Sequence, residues 1–380
     1  MNGDRRAKFL PLPDLAKIEI NSRRAIQSEK TKSMDHQSGL KPDRPEVLEL
    51  SGNSRSQAPV FILGCPRSGT TLLYHMLLSA GRFAIYRAES NFFNLLSPRF
   101  GGLRSRRSRE TWLQSWANSE LFRVSGLDYG AIRPKLMNEC QTAGDCLRVF
   151  MEEVAAKQGV DRWADCTPDH LLYVREIKRE IPDALIVHII RDGRDVALSY
   201  AQQRWANHLP WDRDQRLAVA ALYWSWTVSE GRKHGSALGK DYIEVRFEEL
   251  VHDPRTPLSR VSEFIDQELD YGRIQQVAIG SVRDPNTSFP GGSNGIFNPV
   301  GRWKTQITRS QLSGLEFLIG DRLQELGYEV SQASCSPNMR LRAMRKLYPH
   351  VFATKLWLRN HTPVGRFTDT GSMGITNGRH

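Results

Sequence analysis

The sequence has 380 residues, of which 39% are hydrophobic and 25% are charged, and its formal net charge is +11. This balance fits a globular protein with a large core, and no stretch approaches the roughly 20 apolar residues of a membrane span, which excludes an integral membrane protein. The five cysteines follow no disulfide or metal-binding spacing, and the N-terminus lacks the apolar core of an export signal. We therefore expect a cytoplasmic protein whose positive charge serves an anionic ligand.

Changes in composition divide the chain into three parts. Residues 1–58 are polar with few aromatic side chains, so we predict an extension that precedes the folded domain. Residues 59–330 are predicted to form the domain, in which residues 97–160 contain a basic cluster and helix-like stretches. Residues 331–380 are a basic C-terminal extension with interleaved apolar residues. That pattern is typical of helices packed on a core or of contact with an anionic membrane surface.

The first predicted strand runs from Val60 to Leu63, and a helix follows it after a short turn. The strand is short and apolar, as a strand buried on both faces should be. After the turn, apolar residues recur at helical spacing until Gly81, where a helix end is expected. Such a turn directs backbone N–H groups and the positive end of a helix dipole at one point. The sequence therefore predicts a phosphate-like ligand there.

The turn, residues 64–71, fits the ATPase pattern G-x-x-x-x-G-K-[ST] at every position except one. Thr70 stands where an ATPase has the lysine that neutralises the β and γ phosphates, which argues against triphosphate hydrolysis. The positive charge lies instead on Arg67, whose guanidinium suits a 5′-phosphate group more than a metal-bridged triphosphate. A P-loop kinase is the alternative enzyme.

A second buried strand is predicted over residues 184–190. Arg191 follows it directly, and Ser199 lies eight positions further on, in the first turns of the next predicted helix. Ligands of open α/β sheets lie beyond the carboxyl ends of the strands, so both side chains could contact one anion. A surface ion pair between Arg191 and Asp192, with Ser199 facing solvent, explains the same residues equally well.

These motifs resemble those of the sulfotransferases that use PAPS (3′-phosphoadenosine 5′-phosphosulfate). The turn is similar to their 5′-phosphosulfate loop, with the matching residues Arg67, Ser68, Gly69, Thr70 and Thr71. The pair Arg191 and Ser199 is similar to their 3′-phosphate motif. Further similar segments are a threonine-proline segment at 165–170, a strand and turn at 242–250, and a glycine-basic-tryptophan loop at 300–304. The likeness is to the carbohydrate and tyrosylprotein branches rather than to the cytosolic aryl branch.

The resemblance implies a three-layer, P-loop NTPase-like α/β fold with a central parallel sheet flanked by helices. It also implies PAPS as co-substrate, no metal, and an acceptor hydroxyl on a small molecule, glycan or glycolipid in a pocket capped by residues 97–160. Gly301, Arg302, Trp303 and Lys304 are expected to close over the nucleotide. Within that loop, Arg302 and Lys304 are candidates for the 3′-phosphate and Trp303 for adenine. Arg67 would stabilise the leaving oxygen.

Glu89 is our candidate for the base that removes the acceptor proton. It follows a predicted strand at residues 82–85, and a glutamate at this position resembles the base of the tyrosylprotein and carbohydrate branches. Burial by neighbouring phenylalanines could raise its pKa toward neutrality. The alternatives are a solvated Glu89 paired with Arg87, and His170 as the base, although a lone histidine after a Thr-Pro turn is more often a structural hydrogen-bonder.

Two departures from the family pattern argue against a tyrosine-sulfating role. Cys166 stands before the Thr-Pro pair, where many relatives have a lysine that in the tyrosylprotein branch contacts the sulfate. Gly301 stands where that branch has a serine in the nucleotide loop. Neither change affects the nucleotide assignment.

A different class of function is also compatible with the sequence, namely a catalytically idle nucleotide-binding protein at a membrane surface. Consumption of PAPS with any acceptor would separate the two classes. No recognised module accompanies the basic residues, so no nucleic-acid partner is expected. The sequence sets neither the acceptor nor the oligomeric state.

Overall fold

Four parallel strands form the central sheet in a computed structural model that describes residues 55–101, 103, 105–203, 209–283, 298–331 and 338–368. The strands are β1 Val60–Leu63, β2 Ala164–Asp165, β3 Leu185–Ile190 and β4 Tyr242–Arg246, in the order β2-β1-β3-β4. In register, Phe61 pairs with both Asp165 and Ile186. Because β1 and β3 are parallel neighbours, the loops that follow them open at the same edge of the sheet.

Helices surround this sheet. In chain order they are α1 Thr70–Ala80, α2 Ser97–Phe100, α3 Arg106–Ala117, α4 Glu120–Ser125, α5 Tyr129–Glu139, α6 Ala143–Gln158, α7 Val174–Glu180, α8 Gly193–Ala201, α9 Arg216–Gly235, α10 Phe247–His252, α11 Arg255–Ile265, α12 Tyr271–Val277, α13 Trp303–Gln306, α14 Arg309–Glu325 and α15 Met339–His361. Short 3-10 helices cover Arg55–Gln57, Pro168–Tyr173, Pro210–Gln215, Ser236–Asp241, Gly280–Val282 and Pro363–Phe367, and a π-helix covers Phe92–Leu96.

The two faces of the sheet are covered by separate hydrophobic cores. Val60 and Ile62 pack with α1, α11 and α12 on one face. Phe61, Leu63 and Ile186 alternate with them and pack with α6, α7 and the helices of the cap on the other face. The predicted three-layer α/β fold with a central parallel sheet is therefore confirmed.

A third core lies beside the sheet, between α8, α9, α14 and α15. Trp224 of α9 is fully buried in it, as the helical spacing of apolar residues over 217–228 predicts. On its inner side α15 contributes Met344, Tyr348 and Phe352 to this core. The inner face of this basic C-terminal helix therefore packs against the protein.

The region predicted as a helical cap, residues 97–160, contains α2 to α6. Aromatic side chains fill its centre, and the Trp116 and Phe150 rings meet edge to face with centroids 4.7 Å apart. The rings of Trp112 and Phe92 meet in the same way at 5.2 Å. These contacts join the cap to the segment that follows Glu89.

The predicted strand at residues 82–85 is wrong. Only Phe83 forms a bridge, with Arg162, and Arg82 adopts a left-handed φ of 64° that a strand excludes. Beyond the bridge, the Gln158 side-chain amide accepts a hydrogen bond from Ile85 N at 2.7 Å and donates one to Ile85 O at 3.0 Å. A side chain therefore satisfies the backbone groups of Ile85 that a neighbouring strand would satisfy in a sheet.

In the part of the chain that the structure describes, no helix is long and apolar enough to cross a bilayer. The same residues contain no group of three or more His, Cys, Asp or Glu side chains arranged to hold a metal ion. The predicted N-terminal extension, residues 1–58, lies outside the described residues apart from 55–58.

Candidate active site

The turn between β1 and α1 combines two left-handed residues with the start of a helix. Arg67 has a φ of 77° and Gly69 a φ of 97°. Backbone N–H groups in such a turn can be directed at an anion, and the start of α1 adds the positive end of its dipole. Among the described residues the buried Ser68 Oγ has no hydrogen-bond partner. The turn therefore has the form of an anion-binding loop.

Both the φ at position 69 and the close contact with α10 require a glycine there. A Cβ atom on Gly69 would lie 2.2 Å from Cδ2 of Phe247. We expect Gly69→Ala to lower the free energy of unfolding by at least about 1 to 3 kcal/mol, because backbone strain is added to a clash with a buried ring. Denaturant unfolding measures this loss.

Gly159 provides the matched control for Gly69→Ala. It has a φ of +68° and nothing within 4 Å of a Cβ atom. Gly159→Ala should therefore show the backbone cost alone. Equal losses in the two variants would mean that the Phe247 contact does not constrain the loop.

Arg67 and Arg191 come together at the neighbouring ends of β1 and β3. Arg67 Nε donates to Ser199 Oγ at 2.9 Å, so the loop is bonded directly to α8. Arg191 Nη1 donates to the Arg67 carbonyl at 3.0 Å, and Nη2 donates to the Pro299 carbonyl at 2.5 Å. Arg191 thus links three segments that are distant in sequence.

Arg191 is buried and held on an aromatic ring. Its guanidinium carbon lies 4.5 Å from the centroid of Phe247, and its carbonyl accepts a hydrogen bond from Trp224 Nε1 at 3.1 Å. Arg191 Nε is buried and without a partner in the described part of the chain. The alternative of a solvent-facing Arg191 and Ser199 is excluded because both side chains are buried.

Arg67, Arg191 and Arg302 repel one another at this edge of the sheet. Burial, followed by repulsion from Arg302, lowers the pKa of Arg67. Burial also lowers the pKa of Arg191. Asp195 and Glu248 oppose this shift, and Arg302 and Arg67 add to it. A cluster of cations that destabilise one another is stabilised by an anion bound between them.

Asp195 holds the loop at residues 300–304 against the site. Its Oδ2 accepts from Gly301 N at 2.7 Å, and its Oδ1 accepts from Trp303 N at 2.9 Å. The Arg194 guanidinium lies 3.7 Å from the centroid of the Trp303 indole. Lys304 is exposed, with Nζ 5.8 Å from the same indole. The structure therefore brings Gly301, Arg302 and Trp303 to the site, whereas Lys304 lies at its rim.

Glu89 lies close to Asp165, Asp169 and Cys166. Its side chain is exposed, yet surrounding protein desolvates the carboxyl and raises its pKa to about 7, with smaller contributions from Asp169 and Asp165. Burial, followed by the carboxyls of Glu89 and Asp165, raises the pKa of the Cys166 thiol, and the Thr70 and Thr71 hydroxyls oppose this shift. A carboxyl that is reachable and titrates near neutrality suits proton transfer.

A buried network fixes the segment after Glu89. Ser90 N donates to Thr167 Oγ1 at 2.9 Å, and Thr167 Oγ1 donates to Asp165 Oδ1 at 3.2 Å. His170 Nε2 accepts from Phe93 N at 3.3 Å, which places the proton on Nδ1, 2.9 Å from Asp165 Oδ2. Both ring nitrogens of His170 are therefore engaged, Nε2 with the Phe93 backbone and Nδ1 with the Asp165 carboxylate.

Sequence reasoning missed Asp165 and Asp195 as parts of the site. Each is an ordinary carboxylate within a segment that was singled out for other residues. The one local signal was the position of Asp195 in the first turn of α8, where a carboxylate is favoured. Its partners in the loop at 300–304 lie more than 100 residues away in sequence, beyond the reach of spacing arguments.

The chain was compared with family models, curated sequences and solved structures. The model of the Sulfotransferase family matches residues 59–271. The Sulfotransferase Domain from the Curacin Biosynthetic Pathway is 16% identical, with 72% of this chain and 99% of that chain covered and a TM-score of 0.48. The Sulfotransferase Domain from the Synechococcus PCC 7002 Olefin Synthase is 18% identical, with 78% and 100% covered and a TM-score of 0.48. Sulfotransferase STF9 from Mycobacterium avium is 13% identical, with 72% and 77% covered and a TM-score of 0.39. No curated protein sequence matches the chain.

Proposed function

Because the chain belongs to the sulfotransferase family, whose model matches more than half of it, we propose that it transfers the sulfuryl group of PAPS to an acceptor hydroxyl. The acceptor class is a small molecule, a glycan or a glycolipid. The observation that carries the proposal is the meeting of Arg67, Arg191 and Ser199 at the ends of adjacent strands. Two anionic groups of one nucleotide require two such neighbouring cation sites.

The polar groups at the site fit PAPS. The turn at residues 66–71, with the unpartnered Ser68 Oγ among the described residues, would receive the 5′-phosphosulfate. Arg191, whose Nε has no partner in that part of the chain, would receive the 3′-phosphate together with Ser199. Arg302 lies close enough to lower the pKa of both Arg67 and Arg191, and it would add charge to the same phosphates.

Each reacting group has a proposed role. When bound, PAPS supplies a sulfur that can be transferred with a phosphate as leaving group. Glu89 takes the proton of the acceptor hydroxyl as the new oxygen–sulfur bond forms and the bond from sulfur to the phosphate oxygen breaks. Arg67 stabilises the negative charge that gathers on that leaving oxygen. The Asp165, Thr167 and His170 network keeps the Glu89 backbone in place for this step.

The proposal is tested by incubating the protein with radiolabelled PAPS and a panel of hydroxylated acceptors. We expect sulfate transfer that persists in the presence of a metal chelator. Magnesium-dependent consumption of ATP without sulfate transfer would support the kinase alternative instead. PAPS binding without transfer to any acceptor of the panel would support an idle nucleotide-binding protein.

Asp195→Asn should weaken nucleotide binding without unfolding the protein. An amide can accept only one of the two backbone hydrogen bonds that the Asp195 carboxylate accepts from the loop at 300–304. Loss of a hydrogen bond to a charged group costs about 1.5 to 3 kcal/mol, so we expect roughly a tenfold or greater loss of affinity for adenosine 3′,5′-bisphosphate. Isothermal titration calorimetry measures it.

Asp161→Asn is the matched control for Asp195→Asn. Asp161 accepts hydrogen bonds from Arg82 and Gln57 at the surface. Removing its charge should leave nucleotide affinity unchanged. An Asp195→Asn affinity equal to that of Asp161→Asn would show that the loop does not need this anchor.

A further inference from the structure

The outer face of α15 and the turn after it expose large apolar side chains. The exposed fractions are 86% for Met339, 55% for Leu347, 55% for Trp357 and 83% for Phe367. Leu358 and Val364 are exposed on the same segment. Met339 and Trp357 lie on the side of the helix opposite Met344, Tyr348 and Phe352, which face the core, and Leu347 lies at the flank between the two sides. We call the exposed side of residues 339–367 the outer face.

The outer face belongs to a segment that is basic throughout. Residues 339–367 contain seven Lys or Arg residues and no Asp or Glu. Arg340, Arg342, Lys346 and Arg366 are exposed among the apolar side chains. Arg345 is paired with Asp321 of α14. The other basic side chains that are exposed beside apolar ones indicate a partner that is both anionic and apolar.

The exposed side chains of the turn are held in place rather than loosely attached. Gly365 packs so closely that a Cβ atom would lie 2.1 Å from the Arg359 carbonyl oxygen and 2.8 Å from that of Pro98. Arg99 of α2 also donates a hydrogen bond to the Arg366 carbonyl. Val364 and Phe367 flank this anchored position and still point to solvent. The turn thus presents them on a fixed support.

A lipid surface matches both properties of the outer face. Two copies of this segment would repel each other, because each carries only positive charge. A nucleic acid would bind the basic side chains but leave the aliphatic side chains exposed to water. An anionic bilayer satisfies both, because basic side chains contact lipid headgroups while Trp, Phe and Leu enter the boundary of the acyl chains.

We propose that the outer face docks the protein on an anionic lipid bilayer. On its inner side the same helix contacts the segment that supports Glu89, since Arg359 Nη2 donates to Tyr173 Oη at 2.8 Å and Tyr173 Oη donates to Asn360 Oδ1 at 2.9 Å. Docking therefore places a helix that contacts this segment at a membrane surface. The docking itself does not depend on the proposed function.

Vesicle sedimentation of the full chain tests the proposal without using activity. Vesicles of phosphatidylcholine and phosphatidylglycerol in equal amounts should bind the protein, and vesicles of phosphatidylcholine alone should bind it weakly. Exchange of two basic residues, Arg340→Glu with Lys346→Glu, should lower binding about 30-fold or more. Exchange of two anchors, Trp357→Ser with Phe367→Ser, should lower it roughly tenfold.

Each variant has a matched control. Val124→Ser with Val277→Ser removes exposed apolar side chains elsewhere, and Arg175→Glu with Lys233→Glu makes the same change in net charge on exposed positions outside the segment. Thermal melts show that every variant is folded. Equal losses in variants and controls, or no binding to anionic vesicles at low salt, would overturn the proposal. A dimer or an RNA complex that depends on Trp357, in a protein that does not bind vesicles, would also overturn the proposal.

Discussion

Glu89→Gln is expected to lower kcat by about 10²- to 10⁴-fold and to leave the affinity for adenosine 3′,5′-bisphosphate unchanged. The amide keeps the size of the side chain and cannot accept the acceptor proton. The neighbours that shift the pKa of Glu89 are the carboxyls of Asp169 and Asp165, whereas Arg67 is bonded to Ser199, so nucleotide binding should not depend on Glu89. Single-turnover sulfate transfer beside titration calorimetry separates the two effects.

The pH dependence adds a second readout for Glu89. The base must be ionised, and its pKa is raised to about 7 by burial and by neighbouring carboxyls. The rate of the wild-type protein should therefore rise with pH through about 7 and level off above it, and the residual rate of Glu89→Gln should lack this step. A wild-type rate that does not change across this range would argue against Glu89 as the base.

Glu263→Gln is the control for these measurements, since Glu263 is an exposed carboxylate on α11. It should leave kcat, affinity and pH profile unchanged. Near-normal turnover of Glu89→Gln would discard the assignment. Because both His170 nitrogens are already engaged, the base would then have to be sought outside the network that holds Glu89.

Arg67→Ala is expected to lower kcat by about 10²- to 10³-fold, which corresponds to about 2.7 to 4 kcal/mol of transition-state stabilisation. The reason is that Arg67 is placed by its bond to Ser199 before any ligand arrives, and its charge meets the leaving oxygen only as that oxygen becomes negative. Nucleotide affinity should fall less than kcat. Steady-state kinetics with saturating PAPS measures the difference.

Arg82→Ala is a matched control for Arg67→Ala. Arg82 is also an arginine with a left-handed φ, 64° against 77° for Arg67, and it makes a surface ion pair with Asp161. Both variants therefore keep the same kind of backbone strain and lose one guanidinium. A kcat for Arg67→Ala close to that of Arg82→Ala would remove Arg67 from the reaction.

The sequence could predict those parts of the site whose residues lie within one short segment of the chain. A buried strand, a glycine-bearing turn and an amphipathic helix follow one another within residues 60–81, so local pattern was enough to predict the loop. The position of Arg191 also followed from its place directly after β3. The loop and Arg191 both lie at the carboxyl edge of a parallel sheet, where ligands bind in folds of this kind.

The rest depends on partners that only the folded chain brings together. Asp195 and Gly301 are more than 100 residues apart, and the Gln158 amide replaces a strand at Ile85 because α6 ends beside it. Nothing in the local sequence decided whether Glu89 or His170 is the base. Hydrogen bonds to Asp165 and Phe93 engage both nitrogens of His170, and these bonds are visible only in three dimensions.

Titration calorimetry with adenosine 3′,5′-bisphosphate tests the central claim most directly, because the claim is that two neighbouring cation sites hold one nucleotide with two phosphates. The account predicts binding at one site per chain and a loss of more than about tenfold in affinity for Arg191→Ala. Absence of binding to the folded wild-type protein would contradict it.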